Sequence, residues 1–157
     1  MQSMKYRPTL AAVAFGIAGA LTALPAAAQY RNADAAIKYR QSAMSLQGNH
    51  LARIFAMANG QVPFDAKVAA DQIEIVGMLN RLQFAAFIDG SDKGNTRAKP
   101  EIWAEKDKFT AAINKSQEDI GNLVAAGKTG SLDQIKAAAG TVGQSCKACH
   151  DAYQKPQ

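Results

Sequence analysis

Apolar residues recur at helical spacing along four stretches of the chain, each closed off by turn-forming residues, and nowhere do they alternate as in a strand. From Ala33 to Ala58, Ile37, Met44, Leu51 and Ala58 repeat every seven residues, and Ile54 and Phe55 widen the stripe. Asn32 suits the N-cap and Gly60 the stop. The second stretch starts after Pro63-Phe64-Asp65, with Asp65 as cap and Val68, Ile75, Val76, Leu79 and Leu82 on one expected face. Pro100 opens the third, at a helical position where a missing amide proton costs nothing. Ile102, Phe109, Ile113, Ile120, Leu123 and Val124 carry it to an expected end at Gly127 to Gly130. The fourth begins with a capping box in which Gln134 can reach back to the Ser131 amide. Residues 87–99, rich in Gly, Asp, Ser and Asn, read as one long surface loop. The pattern predicts an all-α fold, an antiparallel up-down-up-down four-helix bundle.

The first 28 residues stand apart from this pattern. Lys5 and Arg7 precede an uncharged run, Leu10 to Leu24, that ends in Pro25-Ala26-Ala27-Ala28, the organisation of a cleaved secretory signal peptide. The run is shorter than the roughly 20 residues of a membrane helix, so no membrane span is expected. Cleavage before Gln29 leaves residues 29–157 as one domain, exported to the periplasm. Loss of Lys5 and Arg7 lowers the formal net charge from +5 to +3. With both signs interspersed and no basic run longer than a pair, the mature chain lacks an electrostatic footprint for nucleic acid.

The most specific chemistry lies near the C-terminus, at Cys146-Lys147-Ala148-Cys149-His150. In the fourth helix Ile135, Ala138, Ala139, Val142, Cys146 and Cys149 share a face, so both thiols point toward the core. Two cysteines three residues apart followed by histidine is the pattern of covalent c-type haem attachment: the thiols add to the two vinyl groups and the imidazole becomes an axial iron ligand. A thioredoxin-like dithiol fits less well, since Cys146 lies far from a helix N-terminus. A zinc site fits less well too, because only His50 remains to complete four ligands. Gly140 and Gly143 lower helix propensity by about 1 kcal/mol each. They are expected where the helix runs close against the porphyrin or a neighbouring helix. Trp103 and Phe109 read as core, and His50 as a surface or edge residue.

With these features the mature chain resembles a cytochrome c′, a class II c-type cytochrome with its haem motif at the C-terminal end. The resemblance is carried by residues 36–44, by Pro63-Phe64-Asp65-Ala66, by Lys99-Pro100-Glu101-Ile102-Trp103, and by residues 146–153. It implies one covalently attached haem c per chain, with Cys146 and Cys149 as thioether anchors and His150 as the proximal metal ligand. It also places Arg40 and Gln41 at the haem propionates, Thr96-Arg97 along the haem edge, and Met44 over the distal face of the iron. Where relatives commonly carry a basic residue after the aromatic of the motif's tail, this chain has Gln154, so no proximal role is assigned to it.

The function implied by the resemblance turns on Met44. If its side chain only crowds the iron, the site is five-coordinate and high-spin, open to nitric oxide and carbon monoxide, and the protein binds gases or carries electrons. Arg40-Gln41-Ser42-Ala43, Leu51 and Phe55 favour this reading. If the thioether bonds the iron, the protein is a low-spin class II cytochrome of the c-556 kind, acting purely in electron transfer with a periplasmic redox partner. The resemblance further implies a homodimer with its contact on the first helix. No distal histidine or arginine is placed to cleave an O–O bond, which argues for a carrier or binding protein rather than an enzyme.

Overall fold

The computed structural model describes residues 29–156. The proposed leader, residues 1–28, lies outside them. The elements run α1 (Ala33–Ala58), α2 (Ala66–Leu82), a 3-10 turn (Gln83–Ala86), α3 (Glu101–Ala104), α4 (Lys106–Thr129) and α5 (Leu132–Tyr153). α1, α2, α4 and α5 form a four-helix bundle in which α1 packs on α2 and α5, and α4 on α2 and α5. Contacts between α2 and α4 run in opposite senses: Asn80 meets Ser116, Gly77 meets Val124, and Ile73 meets Gly127.

Side chains that satisfy free backbone amides set where the helices begin. Asn32 accepts from the Ala35 amide at 2.8 Å and Asp65 from the Val68 amide at 2.9 Å. Ser131 accepts from the Gln134 amide at 3.4 Å, but the reciprocal half of the expected capping box is not made. The Ser131 amide donates instead to the Thr129 hydroxyl at 3.1 Å, because the preceding turn brings that oxygen closer than Gln134. α4 ends with Gly130 at φ +68°, a left-handed cap that glycine adopts without steric cost. Gly127, expected to begin that turn, lies inside the helix.

Two further expectations are corrected. The third stretch is not one helix: Glu105, at φ −120° and ψ 52°, ends α3 and starts α4. α3 lies under the loop instead, where the Trp103 indole donates to the Ile88 carbonyl at 3.1 Å. The buried stripe of α2 is Ala69, Ile73, Val76 and Asn80, whereas Val68 and Leu82 are exposed. The expected face followed side-chain size; the observed one follows fit. α2 approaches α4 so closely that a Cβ on Gly77 would stand 3.0 Å from Val124, and one on Gly127 3.1 Å from Ile73.

The interior divides in two. One apolar cluster joins all four long helices through Leu51, Ile54, Ile73, Val76, Ile120, Leu123, Ile135 and Val142, with Cys146 against its edge. The other gathers Ala98, Ile102 and Phe109 with Phe84, Phe87, Trp103, Tyr153 and Cys149. Trp103 and Phe109 are therefore core, as expected, and half-buried His50 contacts the Gln72 amide oxygen at 2.7 Å on the α1–α2 edge. A Cβ on Gly143 would stand 3.4 Å from the Phe55 ring, in line with the close approach expected there, but Gly140 faces open space.

These contacts give opposite signs to two glycine substitutions. Gly127→Ala forces Ile73 to move, which costs about 1–3 kcal/mol against a helix-propensity gain of about 1. Its thermal midpoint falls. Gly121→Ala, in open space on the same helix, gains up to about 1 kcal/mol and its midpoint rises. Calorimetry of both variants checks the packing of α2 on α4.

Candidate functional site

Between the two clusters lies a cavity of about 560 Å³, within the roughly 300–1,000 Å³ typical of small-molecule and cofactor sites. α5 supplies Cys146, Cys149, His150, Tyr153 and Gln154; α1 supplies Arg40, Gln41, Met44, Leu51 and Phe55 on the opposite side. Phe84, Phe87, Phe109 and Ile102 line it with apolar surface, and Thr96, Arg97 and Ala98 close one wall. Every site residue named from the sequence therefore borders one space.

The helical period explains the thiols. Residues three apart on α5 stand one above the other, so Cys146 reaches the first apolar cluster and Cys149 the second, each half-buried and facing the gap. Burial pushes both thiols up from the ordinary cysteine range. The nearby Asp119 charge adds to the rise at Cys146, and Cys146 adds to that at Cys149. Thiols raised in this way are not the activated thiolates of a redox dithiol. His150 is exposed at the cavity's edge and is the one histidine in its lining.

Arg40 does more than the sequence indicated. It is 2% exposed, and burial lowers its pKa from the usual arginine value. Its guanidinium donates to the Ala86 carbonyl (3.0 Å), the Ser91 hydroxyl (2.7 Å) and carbonyl (2.6 Å), and the Thr96 hydroxyl (3.0 Å). The same group lies 4.5 Å from the Phe87 ring centroid. Gln41 donates to the Asn95 carbonyl at 2.9 Å, and Thr96 accepts from the Ala98 amide at 3.1 Å. Residues 87–99 are thus not simply a surface loop: Ser91 is fully buried, and the far end is laced to the C-terminus by Lys99 to Tyr153 (2.9 Å) and Lys155 to Arg97 (2.8 Å). Gln154 pairs with Ala98 through its backbone.

Sequence reasoning missed the polar residues of this interior. Gln47, Gln83 and Ser116 line the cavity although each is at most 7% exposed, and the side-chain oxygens of Gln47 and Gln83 have no hydrogen-bond partner. Gln47 could have been found, because it lies one heptad after Arg40 on the buried stripe of α1.

The Cytochrome C' family profile matches residues 35–154. A cytochrome c' from Rubrivivax gelatinosus is 48% identical over 128 residues, 81% of this chain and 99% of that protein. The chain belongs to the cytochrome c′ family. A second member, from Alcaligenes xylosoxydans xylosoxydans, is 42% identical over 127 residues, 81% of this chain and 98% of its own. The Rubrivivax crystal structure superposes with a TM-score of 0.79, covering 81% of this chain and all of that one. A nitric oxide complex of a leucine-to-alanine mutant of the Alcaligenes xylosoxidans cytochrome c prime superposes at 0.78, with 41% identity, covering 82% of this chain and 99% of that one. A carbon monoxide-bound variant of that cytochrome gives 0.77 at the same identity, covering 81% and 99%.

The cofactor of a cytochrome c′ is a covalently bound haem c. The cavity fits it: its walls are mostly apolar, two thiols three residues apart face it from one helix, and a histidine follows at its edge.

Arg40 makes the loop wall testable. Arg40→Leu leaves the Ala86 and Ser91 carbonyls without their donor and is expected to cost about 3 kcal/mol in a urea melt. Amide exchange should accelerate across residues 87–99 while that of α2 and α4 stays near the wild-type level.

Proposed function

We propose that this protein is a periplasmic mono-haem cytochrome c′ in which Cys146 and Cys149 hold the haem through thioethers, His150 ligates the iron, and the opposite axial position stays open to nitric oxide or carbon monoxide. The observation that carries this reading is the convergence of Cys146, Cys149 and His150 on one largely apolar cavity whose other side is α1. When bound, the haem would supply an iron able to take a diatomic gas or to exchange an electron.

The chain's own residues shape that position. Met44, Leu51 and Phe55 present an apolar wall from α1, which admits small uncharged molecules and disfavours anions and water. Arg40, Gln41 and Thr96 stand together where the propionates would emerge. The terminal N–H groups of Arg40 already hold the loop, so its Nε–H and the Gln41 amide are the donors nearest to hand for those carboxylates. Assigned as a ligand, His150 is not available as an acid or base, which favours a binding or carrier protein over an enzyme. The variants of one relative solved with nitric oxide and with carbon monoxide support the gas-binding side of this reading.

Export rests on the sequence of residues 1–28, and the mature protein is expected to begin at Gln29. A homodimer is supported by apolar side chains left exposed on adjacent helices, Tyr39 and Leu46 of α1 with Met78 and Leu82 of α2. Leu46→Glu should convert a sedimenting dimer to monomer; a wild-type protein that sediments as a monomer overturns the assignment.

The visible spectrum of the reduced protein tests the open site. A broad high-spin spectrum that moves on addition of carbon monoxide is expected. Met44→Ala should then speed gas association on the order of tenfold, about 1.4 kcal/mol of barrier, without changing the resting spin state. Sharp, split bands indifferent to carbon monoxide would place the Met44 sulfur on the iron and make the protein a low-spin electron carrier instead.

A further inference from the structure

A belt of buried polar side chains crosses the bundle, with Gln47, Gln83 and Ser116 on the wall of the cavity. Gln47 of α1, Asn80 and Gln83 at the end of α2, and Ser116 and Asp119 of α4 are each no more than 7% exposed. The Asn80 side-chain oxygen accepts from Gln83 and from Ser116, both at 3.4 Å. Asp119 is the one buried carboxylate among the described residues. One of its oxygens is held by the Lys115 ammonium, while Oδ2 is buried with no partner.

This ion pair is lopsided. The Lys115 side chain is 56% exposed and Asp119 only 2%, so water screens the cation far more than the carboxylate. The negative charge therefore acts on the interior at low dielectric, where its reach is longest. Cys146 already registers it: after burial, the Asp119 charge is the second cause of the raised thiol pKa.

We propose that Asp119 is an internal counter-charge to the haem iron, one that favours the ferric over the ferrous state and so lowers the reduction potential of the protein. The inference rests on Cys146 as a haem anchor and on Ser116, which lines the cavity one helical turn before Asp119 on α4. One-electron reduction of ferric to ferrous iron makes and breaks no bond. It removes one unit of positive charge, and with it part of the attraction to a fixed anion. A neutral belt would let the electron enter more easily.

The test is a spectroelectrochemical titration of the mature, haem-loaded protein at neutral pH, the electrode supplying the electron. In Asp119→Asn the midpoint should move to more positive potential while the visible spectrum is kept, and Asp119→Glu should return it toward the wild-type value. An unmoved midpoint in the Asn variant, or equal shifts in the Asn and Glu variants, overturns the proposal. Removing a buried charge can impair folding, so a second measurement uses the unsubstituted chain. Infrared difference spectra of reduction, with and without carbon-13-labelled aspartate, should contain a label-sensitive carboxylate band, and its absence overturns the proposal equally. Intact mass separates the two readings: a polypeptide without added porphyrin defeats the haem assignment, whereas a loaded protein with an insensitive midpoint defeats only the role of Asp119.

Discussion

Two thiols one helical turn apart on the inner face of α5 decide where this bundle cannot close on itself. Cys146 touches the apolar cluster that ties the four long helices together, Cys149 touches a second cluster built under the loop, and the two clusters do not merge. The cavity between them is walled by half-buried phenylalanines rather than filled by them. A space of that size within a close-packed interior forfeits dispersion and transfer energy that a bound apolar group restores. Haem c is that group in the family to which the chain belongs.

The wall opposite the bundle core is made by one buried cation. Arg40 spends its terminal N–H groups on the Ala86 and Ser91 carbonyls and on two hydroxyls, and lies against Phe87. A guanidinium can be kept at 2% exposure only because its donors are satisfied in this way. The loop then returns to α5 through Lys99, Arg97 and Ala98, which join the segment after Tyr153. α1, the loop and the helix that bears the motif are thereby fixed to one another around the site. Geometry at Met44 and at His150 is set by the same framework, so a change in the loop is felt on both sides of the cavity.

Buried polarity in and behind the cavity wall sets this interior apart from a purely apolar sleeve. Gln47, Asn80, Gln83, Ser116 and Asp119 come from α1, α2, the 3-10 turn and α4, and are gathered only in the folded chain. Keeping amides and a carboxylate there costs desolvation that apolar side chains would avoid. The cavity thus presents different groups to whatever occupies it: a guanidinium and amide donors at the loop, and the spare side-chain oxygens of Gln47 and Gln83 elsewhere in its lining.

Local chemistry made much of this molecule legible in one dimension. Asn32, Asp65 and Ser131 mark helix starts because capping is decided by neighbours three residues away, and the spacing of Cys146, Cys149 and His150 announces the cofactor because attachment needs only one turn of helix. The seven-residue repeat of α1 likewise put Met44, Leu51 and Phe55 on one side. Tertiary contact decided the rest. The face α2 buries depends on how closely Gly77 and Gly127 let it approach α4, which no periodicity reports. The conversion of a polar loop into a wall by Arg40 and the gathering of a buried polar belt each join residues tens of positions apart, and the break at Glu105 accompanies the Trp103 bond to the loop at Ile88. Short-range periodicity and capping are written into neighbouring residues; the fit of one surface against another exists only once both surfaces have been brought together.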